Sequence, residues 1–261
     1  MEIFGYLASI LIGMILGLIG GGGSILTVPV MVYLFMVSPQ LATSYSLFVV
    51  GTTSLIGVLS RLKTGTVKPS TALLFAASSV ITVFLVRKFI IPVLPKTLFS
   101  IGSFNVTESL ATMILFAVLM LFSSISMIRN KKKPQQSDVP VDHTRLAIYG
   151  VGIGLVTGFL GAGGGFLIIP TLVLLCGLTM KEAVGTSLLI ISCNSLTGFV
   201  GDLGHFQIDW KLLGIVTSLA ISGILIGTQL SKKIKNENLK KGFGWFVLVM
   251  GIYIIIKELF L

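Results

Sequence analysis

Two glycine clusters lie inside apolar stretches of this 261-residue chain and share one spacing. The first reads GLIGGGGSILTVPV over residues 17–30, and the second reads GFLGAGGGFLIIPT over residues 158–171. Glycine permits positive φ and a close backbone approach, so neighbouring N–H groups can converge on one anion. A helix that starts after such a break adds about four unpaired N–H groups and the positive end of its dipole. The clusters therefore predict a binding site for a small anion.

Hydroxyl and amide side chains follow each cluster, in the stretches LATSYSLFVVGTTSLIG and AVGTSLLIISCNSLTG. Such groups are neutral donors suited to an oxyanion, but Ser and Thr in membrane helices also bond to their own or a neighbouring helix, and both interpretations stay open. Ser24 is the expected cap of the helix that follows the first cluster. The candidate substrate-binding residues are Gly20, Gly21, Gly22, Gly23, Ser24, Ser46, Gly161, Ala162, Gly163, Gly164, Gly165, Thr186, Ser187 and Asn194.

Glycines outside the clusters have a different interpretation. Gly13 and Gly17, and likewise Gly150, Gly154 and Gly158, recur every four residues, which allows membrane helices to pack closely. An unbroken run of small residues does not fit that pattern, because a packing motif needs a helix to lie on. The two clusters are therefore expected to be unwound loops that face a ligand.

The composition indicates the setting of these elements. The chain is 54% hydrophobic and 11% charged, with a mean hydropathy of +1.02, whereas a soluble domain carries about 25% charged residues. Long uncharged runs predict membrane-spanning helices rather than the alternating strands of a barrel. The net charge of +10 lies mostly between apolar segments, which is typical of topology-setting charge and not of nucleic-acid binding.

Ten apolar segments divide into two sets of five. They cover residues 3–19, 25–36, 41–59, 71–86, 110–128, 146–160, 166–176, 183–200, 212–230 and 243–261. The sequence predicts an all-α polytopic membrane protein with an N-terminal repeat over 1–128, a cytoplasmic linker over 129–145 and a C-terminal repeat over 146–261. The segment after each cluster is too short to span a bilayer of about 30 Å. It is expected either in a re-entrant hairpin or as a tilted, partly interfacial helix beside a spanning one.

The two sets align when 141 is subtracted from the second-half numbers, which places Gly161, Gly163, Gly164 and Pro170 on Gly20, Gly22, Gly23 and Pro29. Because each repeat has an odd number of segments, the second repeat is expected to lie in the membrane with the opposite orientation to the first. The basic loop 61–68 corresponds to the acidic loop 202–209, which favours both termini outside and the linker in the cytoplasm. The pair Arg87-Lys88 conflicts with this assignment, so a parallel duplication stays open.

The sequence offers few residues for metal binding, proton relay or enzyme catalysis. Few carboxylates lie inside a segment, which argues against a metal site or a membrane proton relay. The two histidines, His143 and His205, both lie in loops, which argues against an intramembrane hydrolase. Cys176 and Cys193 are expected as buried thiols. We therefore predict no enzyme activity and no cofactor.

Two stretches of the chain resemble the TauE/SafE sulfite-exporter family. The signature of that family is similar to residues 158–189, GFLGAGGGFLIIPTLVLLCGLTMKEAVGTSLL, and its N-terminal repeat is similar to the first-half stretch GLIGGGGSILTVPVMVYLFMVSPQLATSYSLF. The resemblance covers essentially the whole chain. The first half of the chain departs from the family pattern, because it has QLATSYS where the second half has KEAVGTS. This difference puts the equivalence of the two half-sites in doubt. The resemblance implies an inner-membrane permease that moves small sulfur-containing anions, such as sulfite or organosulfonates, mostly outward.

The sequence therefore predicts a multi-pass protein of the cell membrane, a secondary transporter of sulfur oxyanions working by alternating access. A passive anion channel, or a carrier for a small carboxylate or another inorganic anion, is the alternative. The expected partners are the anionic solute and membrane lipid, with no nucleic acid. A homodimer is one option for the oligomeric state. Arg61 and Lys63 are candidates to attract the anion at the cytoplasmic mouth, although a role in topology alone is favoured.

Overall fold

The computed structural model describes residues 2–21, 23–62, 65–95, 97–101, 104–129, 143–161, 163–231 and 236–260. Three of the residues singled out above, Gly22, Lys63 and Ala162, lie outside the described residues, as does most of the linker.

Ten α-helices occur in the described part of the chain, which confirms the prediction of an all-α membrane protein with ten helical segments. They are α1 (Glu2–Ile19), α2 (Gly23–Tyr33), α3 (Pro39–Leu62), α4 (Pro69–Leu85), α5 (Glu108–Arg129), α6 (His143–Leu160), α7 (Gly165–Leu175), α8 (Met180–Asp202), α9 (Trp210–Ser231) and α10 (Asn236–Phe260). A π-helical turn (Val86–Ile90) and a 3-10 turn (Ile91–Val93) continue α4. Between α4 and α5 the structure adds an antiparallel hairpin that the sequence did not suggest, with strands β1 (Thr97–Ile101) and β2 (Phe104–Thr107).

The helices differ in length. Among the described residues, four helices are long and apolar enough to cross a membrane, namely α3, α4 with its continuation, α8 and α9. In contrast, α2 and α7 have 11 residues each, or about 16 Å at 1.5 Å per residue. This confirms that the segment after each glycine cluster is too short to span. Each of these short helices carries a proline in its interior, Pro29 or Pro170.

The main helix contacts of one half are repeated by the equivalent helices of the other half. Helix α1 packs on α9 and its counterpart α6 packs on α4, while α3–α8, α5–α10 and α2–α7 join equivalent helices. Helices α3 and α8 run antiparallel, since Gly51 lies against Leu196 and Leu47 lies against Gly198. Opposite directions of equivalent helices are what an inverted duplication predicts. The inversion across a bilayer stays a prediction.

The regularly spaced glycines lie where helices touch. A methyl group at Gly17 would lie 2.6 Å from the carbonyl oxygen of Ile224 in α9, and one at Gly154 would lie 2.7 Å from that of Ser79 in α4. Gly13 faces α9, Gly150 faces α4, and Gly158 faces Val86 in the π-helical turn that continues α4, all just as closely. Small residues let the backbones of two membrane helices approach closely, because no side chain lies between them. The interpretation of these glycines as packing positions is confirmed.

We expect Gly154→Leu to lower the free energy of unfolding by about 1–3 kcal/mol, the usual cost of forcing extra carbon atoms into a packed interface. The matched control is Gly152→Leu on the same helix, because Gly152 is exposed and a methyl group there would have nothing within 4 Å. Thermal unfolding in detergent can be followed with a thiol-reactive fluorophore, since Cys176 and Cys193 are free and half-buried. Equal melting temperatures for the two variants would contradict the packing role.

The start of α8 is held by local and long-range contacts. Thr179 and Glu182 form a capping box, in which the Thr179 hydroxyl accepts from the Glu182 N–H and the Glu182 carboxylate accepts from the Thr179 N–H. The same carboxylate forms an ion pair with Lys68 at 3.0 Å, before the start of α4. These contacts fix the N-terminal end of α8, the helix that packs against both glycine clusters.

Candidate functional site

Each glycine cluster separates two helices. Helix α1 ends at Ile19 and α2 begins at Gly23, while α6 ends at Leu160 and α7 begins at Gly165. Positive φ angles occur at Gly20 (82°), Gly161 (65°), Gly163 (64°) and Gly164 (68°), which side chains rarely adopt. The clusters are thus unwound, and each places the N-terminus of a short helix inside the protein.

The two clusters meet. A methyl group at Gly21 would lie 2.6 Å from the carbonyl carbon and oxygen of Gly165, so the two backbones are in direct contact. Both residues are buried. The structure therefore brings together loops that are more than 140 residues apart in the sequence, with the N-termini of α2 and α7 beside each other.

The first cluster lies against α8. The Ser187 hydroxyl donates to the carbonyl oxygens of Gly20 and Val184, both at 3.0 Å. Its hydrogen is therefore used within the protein in this conformation. Ser187 from the second half thus adjoins the first-half cluster and donates to its backbone.

The second cluster lies against α3 and α8. Gly161 contacts Thr43, and a methyl group at Gly163 would lie 3.0 Å from both the Ser195 hydroxyl oxygen and a methyl carbon of Val50. Gly164 lies against the hydroxyl of Thr157 in the last turn of α6. Thr157 was not singled out in the sequence, because a single threonine in an apolar helix is more often bonded to its own helix.

Several buried donors on α3, α6 and α8, the helices that contact the second cluster, have no hydrogen-bond partner among the described residues. They include the hydroxyls of Ser46, Thr157 and Ser195 and the amide nitrogen of Asn194. The Asn194 amide oxygen accepts from the Ser79 hydroxyl at 2.9 Å, which orients the side chain. Leaving a buried polar group unpaired costs about 1–3 kcal/mol. Such groups commonly mark a ligand or water site.

Thr186 and Ser24 are two further predicted residues that the structure describes. The Thr186 hydroxyl accepts the N–H of Lys68 at 3.0 Å, which joins it to the loop before α4. The prediction that Ser24 caps α2 is wrong, because a cap at Ser24 requires a first helical residue at Ile25, whereas α2 begins two residues earlier, at Gly23. The four-glycine run lets the helix start within the cluster itself. Helix α7 likewise has a glycine, Gly164, at its cap position.

A buried ion pair adjoins the second cluster. Arg87 is 1% exposed, and its Nη1 donates to the Asp202 carboxylate and to the Thr43 hydroxyl, both at 3.1 Å. A methyl group at Gly161 would lie 2.6 Å from Nη2 of Arg87. The sequence analysis had treated Arg87 only as a conflict in the topology. The available signal was an arginine within the apolar run VFLVRKFII, because ionisable residues at membrane depth usually mark function.

The first cluster has a buried arginine of its own. Arg61 is 9% exposed, and its Nη2 donates to the carbonyl oxygen of Gly17 at 2.8 Å, in the last turn of α1. It also donates to the Ser231 hydroxyl at 3.4 Å. Arg61 is therefore packed inside the protein next to the first cluster and does not lie on an open mouth. Each glycine cluster thus combines helix N-termini with a nearby guanidinium.

Comparison with known proteins identifies the family of the chain. The model of the sulfite exporter TauE/SafE family matches residues 6–254. The chain belongs to the TauE/SafE family. A probable membrane transporter protein of Xylella fastidiosa (strain 9a5c) is 27% identical over 252 residues, which cover 94% of this chain and 91% of the relative. The probable membrane transporter protein YunE of Bacillus subtilis is 27% identical over 280 residues, with coverage of 96% and 97%.

A probable membrane transporter protein of Haemophilus influenzae is 26% identical over 277 residues, which cover 96% of this chain and 97% of the relative. No solved structure matches the chain. Family membership makes this TauE/SafE chain a membrane transporter, and its apolar helices make it a multi-pass membrane protein.

Proposed function

We propose that this TauE/SafE protein is a secondary transporter that exports small sulfur-containing oxyanions, such as sulfite or organosulfonates. The observation that carries the proposal is the direct contact between Gly21 and Gly165, which places two unwound clusters and two short-helix N-termini together. Helix N-termini and glycine nests favour anions because their N–H groups point outward at the positive end of the dipole.

The chemistry of the surrounding groups supports an oxyanion as the substrate. Ser46, Ser195 and Asn194 offer buried donors to a ligand with several acceptor oxygens. Arg61 and Arg87 place positive charge beside the first and second clusters. The sulfur chemistry of the substrate comes from the family description and not from these contacts.

The pattern of helix contacts supports alternating access as the mechanism. In transporters built from inverted repeats, broken helices hold the substrate where the repeats meet, and one repeat rocks against the other. Here the clusters meet at contacts between the halves, and α3 crosses α8 antiparallel at the same interface. Rocking along this interface would open the clusters to one side and then to the other.

Proteoliposome flux is the direct test. Purified protein should accelerate the movement of sulfite, thiosulfate or sulfoacetate above the rate in protein-free vesicles, while taurine and sulfate, together with acetate, measure selectivity. A carrier should show saturation and counterflow, because substrate on the far side speeds its return. Flux that rises linearly with concentration and shows no counterflow would indicate a passive channel instead. Selective transport of acetate alone would replace the sulfur oxyanion by a carboxylate.

A further inference from the structure

The ion pair between Arg87 and Asp202 places two buried charges beside the second glycine cluster, and the proposed function so far uses only the arginine. Arg87 and Asp202 side chains are each 1% exposed. The guanidinium also binds the Thr43 hydroxyl and lies against Gly161. We propose that the guanidinium of Arg87 is the cationic ligand of the transported oxyanion, and that the Asp202 carboxylate occupies it between transport events. This inference rests on the proposed function.

The two anions are chemically interchangeable on a guanidinium. Arginine presents five N–H donors in a planar fork that matches ligands with two neighbouring negatively charged oxygens. Carboxylates, sulfite and sulfonates all have such oxygens. Exchange of one for the other keeps the buried positive charge of Arg87 compensated throughout, whereas departure of Asp202 without a replacement would leave a costly unpaired charge. Only hydrogen bonds and ionic contacts change in this step.

The fold allows one partner to move while the other is held. Asp202 is the last residue of α8, and the three residues that follow, Leu203 to His205, are exposed. A rearrangement of this turn would carry the carboxylate to water. Arg87 lies inside the π-helical turn Val86–Ile90. Such turns are rare and are frequently found at functional sites.

A second ion pair on the same helix provides a contrast. Glu182 in the first turn of α8 pairs with Lys68 at 3.0 Å, with the two side chains 26% and 46% exposed. It is a solvent-exposed contact that joins the same helix to the first half at its opposite end. Glu182→Gln therefore removes a carboxylate from α8 without changing the environment of Arg87, and it serves as the matched control.

The experiment measures binding of radiolabelled sulfite to purified full-length protein, together with sulfite flux in proteoliposomes. Asp202→Asn should lower the Kd for sulfite by about tenfold or more, equivalent to one favourable interaction of about 1.4 kcal/mol. It should also lower the maximal flux, because no carboxylate displaces the bound anion. Glu182→Gln should leave the Kd and the flux within about twofold of the wild type, as expected for an exposed pair.

A double variant keeps the test decisive if Asp202→Asn fails to fold. Arg87→Gln with Asp202→Asn removes both charges, and we expect a folded protein that no longer binds sulfite. An unchanged or higher Kd in folded Asp202→Asn, or wild-type binding by the double variant, would overturn this inference alone. If wild-type protein binds and transports none of the sulfur oxyanions tested, the proposed function fails first, and this inference fails with it.

Discussion

Gly163→Leu should reduce sulfite flux to the rate of protein-free vesicles while the protein still folds. Gly163 has a φ of 64°, and a methyl group there would already lie 3.0 Å from the Ser195 hydroxyl oxygen. A leucine would impose about 1–2 kcal/mol of backbone strain and fill the space before the N-terminus of α7. Flux of labelled sulfite, normalised to the amount of folded protein, measures the effect. The alignment of the repeats predicts the same loss for Gly22→Leu.

The control for this prediction is Gly65→Leu. Gly65 has a φ of 66°, close to that of Gly163, but it is exposed and a methyl group there would have nothing within 4 Å. Gly65→Leu therefore carries the same backbone strain without obstructing the clusters, and it should retain flux. If Gly163→Leu and Gly22→Leu transport as well as this control, the assignment of the glycine clusters to the anion site is wrong.

Arg87→Met should be the most destabilising single substitution at the buried ion pair, lowering the free energy of unfolding by about 3–5 kcal/mol. The reason is that the Asp202 carboxylate, 1% exposed, would lose its cation in a medium that solvates charge poorly. The double variant Arg87→Met with Asp202→Leu should recover most of this loss, since it buries no charge at all. Melting temperatures from the thiol-reactive assay give both values.

The exposed pair sets the scale for that comparison. Lys68→Met removes the cation from a contact between side chains that are 46% and 26% exposed, and pairs of this kind contribute about 0–1 kcal/mol. A melting temperature for Arg87→Met as high as that of Lys68→Met would contradict the idea that the buried pair is strongly coupled. So would a double variant that is no more stable than Arg87→Met.

Local features of the fold were predictable because each depends on a short stretch of sequence. Uncharged apolar runs predicted ten helices, and the glycine clusters predicted the breaks before α2 and α7, since glycine weakens a helix wherever it accumulates. The four-residue spacing of Gly150, Gly154 and Gly158 predicted close helix contacts. The start of α2 was misplaced by two residues because a run of glycines offers several equivalent starting points.

The sequence by itself determined that this protein is a helical membrane protein with two matched glycine clusters, since hydropathy and glycine spacing are properties of neighbouring residues. Only the tertiary structure decided that Gly21 touches Gly165, that Thr186 bonds to the loop before α4, and that Arg87 pairs with Asp202. The last two residues are 115 positions apart. A pairing of that kind depends on how α4 and α8 pack, and a linear pattern of charges carries no information about which helices become neighbours.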